Sequence, residues 1–118
     1  MQENILGVVI KRERVKEKDI RIIILTASGL RRYNITGVER AQLFSVSEFT
    51  IAGHKIIKEY VMQSNHDITK NYNNYVRACD ICKKLLDTIP FAGEDQDFPI
   101  ALDELKQTID DLERLCDV

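Results

Sequence analysis

The sequence predicts an α+β chain in which a small five-stranded β-barrel is followed by a two-helix hairpin. In the first 65 residues, short β-branched apolar segments alternate with short turns. Near His66 the pattern changes, and apolar residues begin to recur at helical spacing. The last segment carries a single apolar stripe, which is typical of an amphipathic helix. We therefore expect a barrel over residues 1–66 and a helical extension over residues 67–118 that packs on it as one compact unit.

The first three predicted strands follow one another closely. Ile5–Lys11 is short, apolar and β-branched, and a polar turn connects it to the next segment. Ile20–Thr26 is apolar on both faces, which predicts a strand in the interior of the sheet rather than at its edge. Arg31–Thr36 is the third strand. Strand alternation places Arg31 and Arg32 on opposite faces of it.

Two further segments complete the predicted barrel. Leu43–Ile51 and Lys55–Ser64 are rich in apolar and β-branched residues, and Ala52–His54 is the expected hairpin turn between them. Gly37 separates the third strand from the fourth and supplies a turn or bulge conformation there. Five short strands joined by short turns suit a small barrel.

Two helices are predicted after the strands. Asp67 and Thr69 are candidate N-caps of the first helix, and Pro90 ends it. Its apolar stripe consists of Tyr72, Val76, Cys79, Leu86 and Ile89, flanked by Tyr75, Cys82 and Leu85. The second helix starts at the signal formed by Asp97 and Pro99. Its stripe consists of Leu102, Leu105, Ile109, Leu112 and Cys116, and we expect its three central members to be buried against the barrel or the first helix.

The composition is that of an ordinary soluble chain, but its charge is unevenly distributed. Of 118 residues, 44% are hydrophobic and 31% are charged. Residues 1–65 carry 11 Lys/Arg and 7 Asp/Glu, a charge of +4, whereas residues 66–118 carry 6 and 12, a charge of −6. This asymmetry favours a polyanion-binding first half, although +4 also lies within ordinary scatter.

Three features predict a cytoplasmic protein with no membrane association. No apolar run approaches the roughly 20 residues that span a bilayer. The apolar stretch near the N-terminus precedes its cations, which is the reverse of a secretory signal. The three cysteines, an odd number, do not form a disulfide framework.

The sequence offers little for catalysis or for metal binding. It contains no nucleophile-elbow, HExxH or P-loop motif, so we expect no enzyme activity and no cofactor. Cys79 and Cys82 form a CxxC pair, but a structural zinc site needs four ligands, and neither His54 nor His66 has finger spacing. Because the pair lies on the apolar stripe, we expect packed, reduced thiols there, and the same holds for Cys116. A redox or zinc role for the pair is the alternative.

Basic residues cluster around the predicted second strand. Lys11–Asp19 reads KRERVKEKD, and Arg31 and Arg32 open the third strand. Since the first and third strands can each pair with the second, both clusters approach one region of the sheet, where they could follow the phosphates of a single strand. Arg31 shares a face with Tyr33 and is therefore also a candidate for closing the barrel mouth. The alternative is a solvated strand end in which the cations pair with the three acids of the same segment.

Residues 7–37, GVVIKRERVKEKDIRIIILTASGLRRYNITG, combine several features in a recognisable order. An apolar strand ends in a basic residue, and a polar turn follows. An acid then precedes an apolar strand that ends in Thr, and a third strand runs from Gly29 to Gly37. This order resembles the N-terminal oligonucleotide/oligosaccharide-binding (OB) barrel of the bacterial recombination-mediator RecO family. The later segments LFSVSEFTI and NYVRACDICKKLLDTI also follow the order of that family.

The resemblance implies a five-stranded OB-type β-barrel that binds and anneals single-stranded DNA in recombination and DNA repair. It also implies double-stranded DNA as a further ligand, a RecR-like protein as partner, and no nucleotide hydrolysis. We predict that the DNA-binding residues are Lys11, Arg12, Arg14, Lys16, Lys18, Arg31, Arg32 and Arg40.

Two departures from the family pattern support an alternative function. The family carries a basic loop at and after the second glycine, whereas here VERAQ follows Gly37 with one Arg and one Glu. The family also continues into a larger helical region, often with a zinc-binding cysteine cluster, so we expect a single domain or a shortened relative. The short loop and the few aromatics near the cations favour a small barrel used only to dock proteins.

Overall fold

The computed structural model describes residues 2–36, 41–53, 55–91 and 99–116. In chain order its elements are β1 (Gln2–Arg14), β2 (Asp19–Thr26), β3 (Gly29–Thr36), β4 (Val46–Ala52), β5 (Lys55–Gln63), a 3₁₀ helix (His66–Lys70), α1 (Tyr72–Thr88) and α2 (Pro99–Cys116). The predicted order of strands and helices is confirmed, and α2 begins at the predicted proline. Gly37, Arg40, His54 and Asp97 lie outside the described residues.

The strands form one antiparallel sheet in the order β3-β2-β1-β4-β5. β1 is long because its two halves pair with different strands: Gln2–Val8 with β4 and Gly7–Arg14 with β2. A β-bulge at Ile10 shifts the register along the second half. β1 extends beyond the predicted Ile5–Lys11 because ladder hydrogen bonds, rather than an apolar pattern, hold its polar ends in strand conformation.

One face of the sheet, which we call the inner face, buries a core that all five strands supply. This core consists of Val9, Ile20, Ile22, Ile24, Tyr33, Ile35, Ala41, Phe49, Ile51 and Ile56. None of these residues comes from the described helices, so the sheet must curl to exclude water from its inner face. The curl brings the end of β3 close to the start of β5, and a cleft of about 410 Å³ separates them.

The sheet is nevertheless open. Among the described residues no ladder joins β3 to β5, which stand at its two edges. The fold is thus α+β with an open antiparallel sheet, and closure of the predicted barrel is not confirmed.

The helices cover the opposite, outer face of the sheet and share a second core with it. The sheet side and the following loop contribute Val8, Ile10, Ile23, Leu25, Leu30, Phe44 and Val46, and the helical side contributes Ile68, Ala78, Cys82, Leu85, Ile89, Leu105 and Leu112. Ile109 packs against this core and is partly buried. The expected burial of the central α2 stripe is therefore confirmed for Leu105 and Leu112 and in part for Ile109. Each such side chain stabilises the fold by about 1.5–3 kcal/mol when fully buried.

The two helices run antiparallel, as the predicted hairpin requires. Asn74, near the start of α1, donates from Nδ2 to the carbonyl of Leu115 near the end of α2, at 3.0 Å. Thr88, at the end of α1, lines the same groove as Glu104 in the first half of α2.

The buried face of α1 differs from the predicted one. Tyr72 is 78% exposed and Val76 is 37% exposed, whereas Asn74 and Ala78 are buried. The buried face follows the apolar stripe Ala78, Cys82, Leu85 and Ile89. Asn74 extends this face because its amide satisfies a carbonyl in the last turn of α2, where helix carbonyls have no partner within the helix. A stripe built from apolar residues alone cannot anticipate a polar side chain used in this way.

Two elements begin later than predicted, each for a local reason. The N-cap of α1 is Asn71, whose side chain accepts from the backbone N–H three residues later at 3.2 Å. Asp67 and Thr69 lie in the 3₁₀ helix instead, so their assignment as caps is wrong. β4 begins only at Val46, because Phe44 has a φ of 70°, in the left-handed region that strands exclude.

Candidate nucleic-acid interface

The bulge at Ile10 separates the predicted cations of β1 onto two faces. Beyond the bulge, Lys11 pairs with Ile23 and lies on the outer face. Arg12 pairs with Ile22 and lies on the inner side of the sheet, as does Arg14. Arg12 and Arg14 therefore share a face, as their spacing predicts, but Lys11 does not join them.

Arg12 lies in the field of an acid of the chain itself. It is half-buried, and burial lowers the pKa of its guanidinium while the nearby Glu59 carboxylate opposes that shift. Glu59 on β5 also accepts hydrogen bonds from the backbone N–H of Ala41 and from Oγ of Ser47, both at 3.0 Å. Arg12 therefore lies in the field of a carboxylate that the chain itself holds on the inner side of the sheet.

Arg31 lies on the inner face near the start of β3, where it contacts other side chains of the chain. Its guanidinium lies 3.4 Å from a carboxylate oxygen of Glu3 and donates to the hydroxyls of Tyr33 and Ser28, each at 3.3 Å. Although burial disfavours the charge, the hydrogen bonds to Tyr33 and Glu3 raise the pKa of Arg31. These contacts hold Arg31 on the inner face of the sheet, beside Tyr33.

The turn between β1 and β2 presents two of the remaining predicted residues. Its backbone closes through a hydrogen bond from Val15 N–H to the carbonyl of Asp19 at 2.9 Å. Lys16 and Lys18 project from this turn and are exposed. Arg40, the last predicted residue, lies outside the described residues.

Three cations converge on a hollow at the β3 edge of the sheet. The hollow has a volume of about 430 Å³ and is lined by Arg21, Arg32, Tyr33, Asn34 and Lys55. Arg21 and Arg32 come from the outer faces of β2 and β3, and Lys55 opens β5. No acidic side chain belongs to the described lining of this hollow.

The hollow continues into the cleft between β3 and β5. Asn34 and Lys55 line both, and the cleft adds Lys16 from the β1–β2 turn together with Asp19. We refer to the hollow and the cleft together as the β3 groove. Of the predicted residues, the structure brings Arg32 and Lys16 to this groove.

Sequence reasoning missed Arg21 and Lys55 as members of the groove. Arg21 lies inside an apolar strand, on the same face of β2 as Ile23 and Leu25. Strand alternation could therefore have placed it on the same face of the sheet as Arg32. Lys55 comes into place only through the curl that brings β5 to β3, and this has no local signal in the sequence.

Arg32 also contacts an aromatic ring from the segment after α1. Its guanidinium carbon lies 4.7 Å from the centroid of the Phe91 ring, which is a cation–π distance. Phe91 is held beside β3 by a parallel bridge to Leu30, whose N–H donates to the carbonyl of Pro90 at 3.0 Å. The DNA-binding residues predicted from the sequence include no aromatic side chain.

The cysteines occupy packed positions. Cys82 is buried in the helix-side core, and burial, followed by the proximity of Cys79, raises the pKa of its thiol to about 12. Sγ of Cys116 donates to Oδ1 of Asn65 at 3.4 Å. The Cys82 thiol therefore carries little thiolate at neutral pH. Within the described ranges, no group of three or more His, Cys, Asp and Glu side chains has metal-binding geometry.

None of the described helices is both long and apolar enough to cross a membrane. A comparison of the chain with protein-family models and with curated proteins found no match.

Proposed function

We propose that this chain is a nucleic-acid-binding domain of RecO type that holds the phosphates of single-stranded DNA in the β3 groove. OB folds are five-stranded, partly open barrels that bind oligonucleotides on the face of strands 2 and 3 and on the loops β1–β2 and β4–β5. The β3 groove is built from the same parts: Arg21 and Arg32 on β2 and β3, Lys16 in the β1–β2 turn, and Lys55 directly after the β4–β5 turn. This coincidence of strand order and cation placement carries the proposal.

The barrel type is part of the proposal. The sheet order puts β3 and β5 at the two edges, and the curl turns those edges towards each other. Closing the gap between them would give the cyclic order β1-β2-β3-β5-β4, and the inner-face core already draws on all five strands. We therefore interpret the open sheet as an OB-type barrel left open at the β3–β5 gap.

The charges of the groove are available for phosphates. Among the described residues, Arg21, Arg32, Lys16 and Lys55 form no ion pair with a carboxylate. A bound strand would therefore displace counterions rather than break ion pairs of the chain itself. Arg12 and Arg31, in contrast, would have to leave the neighbourhood of Glu59 and Glu3.

The biological role is inferred from the resemblance over residues 7–37. A RecO-type domain would bind and anneal single strands in recombination and DNA repair and would dock a RecR-like partner. The groove supports the binding step, because holding phosphates requires no catalytic group.

A salt titration tests the binding step. Each phosphate contact on a single strand contributes about 0.7 to the slope of log K against log salt, so replacing three contacting cations should flatten the slope by about two units. The test variant is Arg21→Gln, Arg32→Gln and Lys55→Gln combined, and fluorescence anisotropy of labelled oligothymidylate gives the affinity. Lys83→Gln with Lys84→Gln is the control, since both lysines are exposed on α1. Equal slopes for the wild type and the triple variant would place binding elsewhere.

The edge strand β5 favours a second candidate function, docking of another protein. Its exposed side chains include Ile57, Tyr60, Val61 and Met62, which are between 49% and 67% exposed. An apolar edge strand is a template for pairing with a further strand. In this case the chain would bind no oligonucleotide at low salt, and Val61→Lys would abolish association with a partner or a second copy, as measured by analytical ultracentrifugation.

A further inference from the structure

Phe91 is fixed beside the β3 groove by the backbone rather than by its own packing. It follows Pro90 at the end of α1, and its bridge to Leu30 ties this segment to the start of β3. The ring therefore has a defined position although it is 47% exposed. An exposed ring with a fixed backbone loses little conformational freedom when a ligand covers it.

The Phe91 ring and Arg32 lie side by side, and the first can stack with a base while the second can contact a phosphate. The guanidinium lies 4.7 Å from the ring centroid, and Phe91 as a whole residue is still 47% exposed. Aromatic rings stack with the bases of single strands, and arginine contributes both phosphate contacts and cation–π contacts. A base stacked on Phe91 would bring its own phosphate towards Arg32 and the hollow that Arg21 and Lys55 line.

We propose that Phe91 is the base-stacking residue of the β3 groove and that it gives the groove a preference for unpaired bases. This inference rests on the proposed function. It adds that the groove selects single-stranded nucleic acid by stacking against an unpaired base, and does not bind every polyanion of sufficient charge.

The aromatics of the sheet and of the loop before β4 do not compete for this role. Tyr33 is buried, and its hydroxyl accepts from Arg31 on the inner face. Phe44 and Phe49 are fully buried. Tyr60 is exposed on β5, but among the described residues no cation is seen over its ring, whereas Arg32 lies over the ring of Phe91.

The test compares two probes of equal length and charge. One is labelled oligothymidylate, and the other is an abasic strand with the same number of phosphates. We expect the wild type to bind oligothymidylate about tenfold more tightly than the abasic strand, because one stacked base contributes about that factor. Phe91→Leu should remove this difference and leave both the affinity for the abasic strand and the salt slope unchanged. Phe91→Trp should keep the preference.

The outcomes separate this inference from the proposed function. If the wild type binds both probes equally well and with a steep salt slope, the groove binds phosphates only. The stacking role of Phe91 is then overturned, and the proposed function stands. If Phe91→Leu weakens both probes to the same extent, the ring supports the fold rather than a base, and the inference is again overturned. If the wild type binds neither probe at low salt, the proposed function and the inference both fall.

Discussion

Arg31 and Arg32 are neighbours in the sequence and have the same charge, so exchanging one or the other for Gln gives a matched pair of variants. The structure assigns them to opposite faces of β3. Arg31 contacts Glu3, Tyr33 and Ser28, whereas Arg32 lies at the β3 groove beside Phe91. We expect Arg31→Gln to alter stability and Arg32→Gln to alter binding.

The contacts set the size of each effect. The side chains of Arg31 and Glu3 are 25% and 55% exposed, so solvent screens their ion pair, which contributes at most about 1 kcal/mol. The hydrogen bond to Tyr33 adds about 1 kcal/mol. Arg31→Gln should therefore lower the free energy of unfolding by about 1–2 kcal/mol, and each kcal/mol should lower Tm by about 4 °C. Arg32→Gln removes one exposed cation–π contact, which contributes about 0.5 kcal/mol.

For DNA binding we expect the opposite order: Arg32→Gln should have the larger effect and Arg31→Gln the smaller one. Arg32→Gln removes one phosphate contact and should reduce the salt slope by about 0.7, whereas Arg31→Gln should leave it unchanged. Anisotropy titrations between about 50 and 200 mM salt give the slopes, and thermal unfolding followed by circular dichroism gives Tm. A reduced slope for Arg31→Gln together with a wild-type slope for Arg32→Gln would refute the assignment of the two faces.

Two further predictions concern the cores. Gly7 lies in β1, where an added Cβ would collide with Cγ2 of Ile24, so Gly7→Ala should lower the free energy of unfolding by about 3 kcal/mol. Combining it with Ile24→Ala should give less than the sum of the two losses in urea unfolding, and strict additivity would contradict the collision. Burial raises the pKa of Cys82 from 9.0 to about 12, so the folded chain keeps a proton that the unfolded chain releases. The free energy of unfolding should therefore fall between about pH 9 and about pH 12, and Cys82→Ala should show a smaller fall, which urea unfolding on both sides of pH 9 would detect.

Alternation and periodicity predicted the parts of the fold that hydrophobic burial decides. Ile20–Thr26 is apolar on both faces and lies inside the sheet with both faces covered. The stripe of α2 predicted the burial of Leu105 and Leu112. In these segments one physical effect dominates, so the sequence pattern and the structure agree.

The pattern failed where a polar contact or a backbone angle acts at a single position. Asn74 belongs to the buried face of α1 because its amide serves a carbonyl of the other helix. The left-handed backbone of Phe44 delayed the start of β4. Neither effect repeats along the chain, so no periodicity reveals it.

The candidate site was harder to predict than the fold, because a cation count does not show which cations the chain itself uses. Arg12 and Arg31 were predicted to bind DNA, but their faces also carry Glu59 and Glu3. Glu59 on β5 is far from Arg12 in sequence, as Glu3 on β1 is from Arg31, and the curl of the sheet brings each pair together. The same curl places Lys55 beside β3 and completes the groove. The curl thus places carboxylates near two predicted cations and brings an unpredicted one to the groove, so the basic segment Lys11–Asp19 does not by itself define the proposed interface.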